Sequence, residues 1–186
     1  GYYNTATGSN ALKSNSTGVQ NTANGTGALF SNTTGTSNTA MGLNAMFGNS
    51  TGNENTVAGA FSLAYNTTGG RNAGLGNGSL FSNTTGNNNT ASGNRALYFN
   101  TTGYSNVAIG TEALVSNTSR SNLVAVGDSA LYSNGYGAVN AYEATENSAF
   151  GSKALYLNTT GYYNTATGSN ALRSNSTGAQ NTANGT

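Results

Sequence analysis

The carboxylates of this chain are Glu54, Glu112, Asp128, Glu143 and Glu146. Glu112 and Asp128 fall in neighbouring positions of successive sequence repeats, a spacing that would suit paired carboxylates or a Ca²⁺ site. Either chemistry needs further groups. There is no His and no Cys, so the usual transition-metal ligands, thiolate nucleophiles and disulfides are all missing. Ser and Thr are plentiful but have no recognisable base, and none of the Gly-rich segments runs into Gly-Lys-Ser/Thr as a phosphate loop would. The expectation is a protein that is not an enzyme, with no metal and no cofactor.

The six Lys and Arg residues leave a net charge of +1 with no basic run, which argues against nucleic acid as a partner. No apolar stretch is long enough to span a bilayer and no secretion signal is visible, so membrane insertion is not expected. The Gly at residue 1 suggests a mature fragment or a slice of a longer chain. Charged residues make up only 6% and Pro is absent. Low hydrophobicity without charge or Pro is unlike a disordered segment, and points to an ordered array rich in hydrogen bonds.

The elements that position these residues are repeats. Asn4, Asn21, Asn38, Asn55, Asn72, Asn89 and Asn106 follow one another at seventeen-residue intervals, and the frame resumes at Asn147, Asn164 and Asn181. Numbering each unit from its Asn, position 9 is Leu12, Leu29, Met46, Leu63, Leu80, Leu97, Leu114, Leu131, Leu155 and Leu172. A column with no polar member must face an interior. Position 3 is Ala or, rarely, Val57 or Gly74, so the space opposite is small. Gly8 and its equivalents mark one turn, and segments such as Asn32 to Gly35 mark another, where Gly or Asn takes φ > 0 cheaply.

Seventeen residues with two turns leave two short strands, too few to bury anything alone. Stacking the units at about 4.8 Å per rung solves this. The expected fold is all-β: a parallel β-solenoid or β-roll of about eleven coils, running as a single array over 1–186. Its Asn residues form ladders, those at position 1 in one and Asn15, Asn32 and Asn49 in another. The Asn-x-Ser/Thr sites at Asn15, Asn32, Asn49, Asn66, Asn83, Asn100, Asn117, Asn158 and Asn175 then read as ladder and turn residues before glycosylation sites.

The register predicts two ion pairs between adjacent coils, Glu54 with Arg71 and Arg95 with Glu112. It also exposes a defect, because Arg120 stands where Gly is expected and Leu123 takes an Asn position. Seven extra residues follow, placed within 138–146, with Glu143 and Glu146 near Lys153 for charge compensation. The segment 161–186 repeats 1–26 with only Lys13 becoming Arg173 and Val19 becoming Ala179, so a 160-residue superrepeat restarts there.

Asn106-Val107-Ala108-Ile109-Gly110 and Leu123-Val124-Ala125-Val126-Gly127 resemble strands in the head domains of trimeric autotransporter adhesins. The unit from Asn89 to Gly103 is similar to repeats of bacterial surface proteins and phage tail fibres. The resemblance implies a left-handed roll, often a homotrimer, on the surface of a cell or virion, serving as a fibre or adhesin. The repeat here is longer than in those heads, and neither a heptad stalk nor an anchor is present in the sequence.

Two outward columns are candidates for association of the chain with itself: Met41, Leu75, Ile109, Val126 and Phe150 at position 4, and Phe30, Phe47, Phe81, Tyr98, Tyr132 and Tyr156 at position 10. The leading reading is a structural extracellular fibre segment that self-associates as a filament or surface appendage. The second is an adhesin or tail-fibre module binding a cell-surface glycan or protein, through the insertion or through Tyr2, Tyr3, Tyr104, Tyr162 and Tyr163. A third, ice binding by the Thr5, Thr22, Thr39, Thr56 and Thr90 column, lacks a second Thr rank, since position 4 offers only Thr7 and Thr167.

Overall fold

A computed structural model describes residues 1–185. Thr186, the last residue of the duplicated segment, lies outside the described residues. Eleven three-residue strands, β1 (Thr5–Thr7), β2 (Thr22–Asn24), β3 (Thr39–Met41), β4 (Thr56–Ala58), β5 (Ala73–Leu75), β6 (Thr90–Ser92), β7 (Val107–Ile109), β8 (Val124–Val126), β9 (Ser148–Phe150), β10 (Thr165–Thr167) and β11 (Thr182–Asn184), form one sheet in chain order. Every pair is parallel. The register advances by one repeat per rung, as in Thr22↔Thr39 and Ala23↔Ala40, and absorbs the longer coil between Val124 and Ser148. The chain is a parallel β-solenoid of about eleven coils. Among the described residues no helix is long and apolar enough to cross a membrane.

Each coil has one strand, not the two expected. The strand occupies positions 2 to 4, and the return path is a run of turns closed by bonds such as Ala28 N–H to Gly25 O and Asn32 N–H to Leu29 O. The reason lies in the backbone. Gly at position 5 has φ between 114° and 150°, a region closed to L side chains, and from Gly8 to Gly168 a Cβ would also collide with the next coil's Gly. Positions 7, 9 and 17 are left-handed too, although non-Gly residues dominate all three. The whole Leu/Met column holds φ between 49° and 55°. These reversals redirect the chain while keeping amides aimed along the axis, as in Leu29 N–H to Ala45 O and Gly27 N–H to Ser9 O. A strand cannot continue through them.

The second turn also works differently from expectation. Neither Asn32 nor Gly35 has positive φ; the left-handed residue there is Ser37, at position 17. Gly35 is required for room, because a Cβ would collide with Asn32 Oδ1 and with the carbonyl of Gly52.

The core is narrow. Position 3 points inward with Ala23, Ala40, Val57, Ala91, Ala108, Ala125, Ala149 and Ala166 buried, against the Leu column and a second small column at position 8 that includes Ala28, Ala45, Ser62 and Ser79. Volume is conserved between rungs. Val57 is larger than its neighbours and Gly74 on the next rung is smaller, with a Cβ there meeting Val57 and the Ser62 and Ser79 hydroxyls. Leu12 and Leu172, on the outermost complete rungs, are only partly buried.

Candidate functional site

Three ladders of polar side chains run parallel to the axis. In the first, each position 1 Asn uses its whole amide: Asn38 Nδ2 donates to Asn21 Oδ1 at 3.1 Å and to Gly52 O at 2.8 Å, and its backbone N–H donates to the same Oδ1 at 3.0 Å. Asn55, Asn72 and Asn89 repeat this arrangement, and Asn4 and Asn106 share parts of it. In the second, Asn49 Nδ2 donates to Asn32 Oδ1 at 2.8 Å and to Gly52 O at 3.1 Å. Both ladders are buried except at their ends, at Asn4, Asn15, Asn175 and Asn181. The second contains the Asn-x-Ser/Thr sites named above, from Asn15 to Asn175, whose amide nitrogens therefore already serve the fold.

The third ladder is one that the sequence reading missed. The position 13 hydroxyls of Ser16, Thr33, Ser50, Thr67, Thr84, Thr101 and Thr159 each donate to the position 13 carbonyl of the next coil, as Thr33 Oγ1 does to Ser50 O at 2.9 Å. The Ser/Thr column at that position, interrupted at Gly135, was its signal.

The four charges of the predicted pairs lie on adjacent rungs. Arg71 Nε is 3.1 Å from Glu54 Oε2 with both side chains exposed, and Arg95 Nη1 is 2.6 Å from Glu112 Oε1 in a less exposed setting. Arg95 also covers the Tyr98 ring, 4.9 Å from its centroid. Glu112 is thereby engaged away from Asp128, whose Oδ2 accepts from the neighbouring Ser129 hydroxyl at 3.3 Å. Among the described residues no three acids gather where they could hold a metal ion.

The two candidate association columns differ in character. At position 4, Met41, Leu75, Ile109 and Phe150 are exposed and Val126 is half-buried, on the outer face of the sheet. At position 10 the rings mostly stack on one another: Phe30 on Phe47 at 4.7 Å, Phe81 on Tyr98 at 4.7 Å, and Tyr132 on Tyr156 at 5.0 Å. Ala64 interrupts that column, leaving a hollow of 440 Å³ between Phe47 and Phe81, also lined by Phe61 and Tyr65. Position 4 mixes large apolar groups with Thr, so the sheet face lacks the even second Thr rank that ice binding would use.

The defect and the insertion are one structural event. The frame leaves the solenoid after Gly135, whose N–H still donates to Thr159 O, and returns at Ala144, whose carbonyl accepts from Asn134 Nδ2 at 2.8 Å. The excursion is therefore 136–143, beginning before the expected window 138–146 and ending before its close. Ala144 and, on the preceding rung, Arg120 take the position that Gly holds in the other coils, and Arg120 reaches into the excursion, where Nη2 donates to Ala138 O at 3.0 Å. Neither Glu143 nor Glu146 pairs with Lys153. Glu143 instead accepts from Val139 N–H at 2.7 Å, Asn140 N–H at 2.9 Å and Asn140 Nδ2 at 2.9 Å. These bonds from the Asn140 backbone, its side chain and Val139, with a smaller contribution from the Arg120 charge, hold its pKa below 4.5 despite some desolvation.

The ladders bend round this event. Leu123 N–H donates to Asn106 Oδ1 at 3.1 Å, preserving the backbone half of the missing rung. Asn134 Oδ1 accepts from both Asn147 Nδ2 and Asn158 Nδ2, at 3.1 and 3.0 Å, linking the two Asn ladders above the break. Below it, Asn117 Oδ1 is buried with no donor.

No family model matches the chain, and comparisons with curated proteins and with solved structures likewise returned no match.

Proposed function

We propose that this chain is a structural segment of an extracellular fibre, with self-association as its principal activity and no catalytic role. The observation behind this reading is that the buried polar side chains bond along the solenoid axis, coil to coil. Such a stack gains stability with each added rung, and its best-developed chemistry holds a rod together. The exposed position 4 residues Met41, Leu75, Ile109 and Phe150 supply an apolar stripe for lateral contact between rods. The resemblance of the repeats to those of surface fibres supports the same assignment.

Cryo-electron microscopy of the native material, with light-scattering mass of the 186-residue chain, tests it. Continuous filaments with a rung spacing of about 4.8 Å support the fibre. Discrete trimers would replace it with an adhesin-like head, and a persistent monomer would remove self-association.

A further inference from the structure

The excursion walls a cleft over positions 16 and 17 of the rungs beside it. Position 16 carries Tyr104, Ser121, Thr145 and Tyr162 on four successive rungs, and position 17 carries Ser105, Asn122, Glu146 and Tyr163. Two rungs of small or polar residues thus lie between aromatic walls three rungs, or roughly 14 Å, apart. Tyr142, on the excursion, leans over this floor and meets Tyr162 edge-on at 5.4 Å, and Tyr162 meets Tyr163 at 5.5 Å. The open cleft has a volume of 460 Å³, within the range of small-molecule sites. Tyr104, Tyr142 and Tyr163 are each about half exposed, so their faces are open to a ligand.

The polar groups of the floor divide into used and unused. Ser121 Oγ accepts from Tyr104 N–H at 3.0 Å, and Thr145 Oγ1 donates to Tyr142 O at 2.7 Å, which fixes the floor and the aromatic wall together. The Asn122 amide and the Glu146 carboxylate line the same cleft and have no side-chain partner among the described residues. Arg120, beside them, spends one donor on Ala138 O and retains others. One positive and one negative group leave the site with no strong preference for a charged ligand.

We infer that this cleft is a binding site for an uncharged oligosaccharide of two or three sugar rings. Tyrosine faces offer flat, polarisable surfaces for the apolar C–H faces of pyranose rings, while Asn122, Glu146 and Arg120 offer the amide, acceptor and fork donors that vicinal hydroxyls need. The site coincides with the rungs where the repeat departs from its own rules at Arg120, Leu123 and Ala144, and where Asn117 Oδ1 goes unpaired. Local stability given up at a single rung fits a functional site. This is independent of the fibre reading, because binding is read on the isolated chain whether or not it assembles.

The test is an array of uncharged oligosaccharides probed with the 186-residue chain, followed by titration of the retained glycan against variants. Tyr142→Ser and Glu146→Gln are each expected to weaken binding about tenfold or more, with unchanged melting temperature. Tyr2→Ser, in the duplicated segment that lacks an excursion, is expected to leave affinity unchanged. Retention of no glycan above background overturns the inference. Full affinity in both Tyr142→Ser and Glu146→Gln overturns it as well, as does equal loss in Tyr2→Ser.

Discussion

Leu97 is fully buried and yet left-handed, with φ at 52°. An L residue there costs roughly 1–2 kcal/mol, more when its Cβ is branched. Besides Gly27 and Gly78, positions 7, 9 and 17 contain Asn, Phe, Arg, Glu, Ser, Lys, Gln, Tyr, Leu and Met, but never Val, Ile or Thr, in a chain crowded with Thr. Leu97→Ile, nearly neutral in volume, is therefore expected to destabilise the solenoid by about 2 kcal/mol or more, whereas Leu97→Met costs less than about 1.5. Chemical denaturation of the two variants checks this, and equal stability would remove backbone strain from the account. The charge pairs give a second comparison at this scale. A double-mutant cycle on exposed Glu54 and Arg71 should return a coupling below about 0.5 kcal/mol, with a larger value for Glu112 and Arg95, where the guanidinium also lies over Tyr98.

The excursion and the broken rung belong to the scale of the element. Glu143 is held ionised by bonds its carboxylate accepts from Val139 and Asn140, so its folded pKa lies below 4.5. A depressed folded value means that this anchoring is fully present above the ordinary glutamate range and is lost as pH falls through the folded pKa. The Val139 and Asn140 amide resonances should therefore titrate with a midpoint below the ordinary glutamate range, and Glu143→Gln should abolish the transition. The rung itself can be repaired. Deleting 136–142 together with Arg120→Gly, Leu123→Asn and Ala144→Gly restores a seventeen-residue coil and gives Asn117 Oδ1 a donor from Asn134. We expect about 1–3 kcal/mol of added stability, visible as a higher melting temperature. A lower one would show that the excursion contributes to the solenoid it interrupts.

For the whole molecule, the outer sheet face and the aromatic column answer to different measurements. Met41, Leu75 and Ile109 project to solvent and make little of the core, so changing all three to Ser should reduce assembly while leaving the unfolding midpoint within about 0.5 kcal/mol of the parent. Phe81→Ser loses its stack with Tyr98 and its edge contact with Tyr65, so it should lower stability even in a monomer. Sedimentation and thermal unfolding on the two variants separate the roles. If the Met41, Leu75 and Ile109 variant assembles as the parent does, the sheet face is not the lateral contact.

The amino-acid sequence by itself determined the axial arrangement. A constant displacement of seventeen residues makes every position the neighbour of its own equivalent, so the Asn ladders, the Leu column and the adjacency of Glu54 with Arg71 could be read before any coordinate was known. The path of the chain within one rung was decided only by the tertiary structure. Side-chain type constrains φ weakly, and Leu at position 9 signals burial equally well in a strand or in the left-handed turn it occupies. Periodicity therefore does not separate a second strand from the turns that stand in its place, nor a turn glycine from Gly35, whose task is to leave room for a neighbouring carbonyl. The excursion marks the same boundary. Its length is arithmetic, but its start at Tyr136, the half-buried stacking of the position 10 rings, and the cleft between Tyr104, Tyr142 and Tyr163 depend on contacts across rungs that periodicity does not specify.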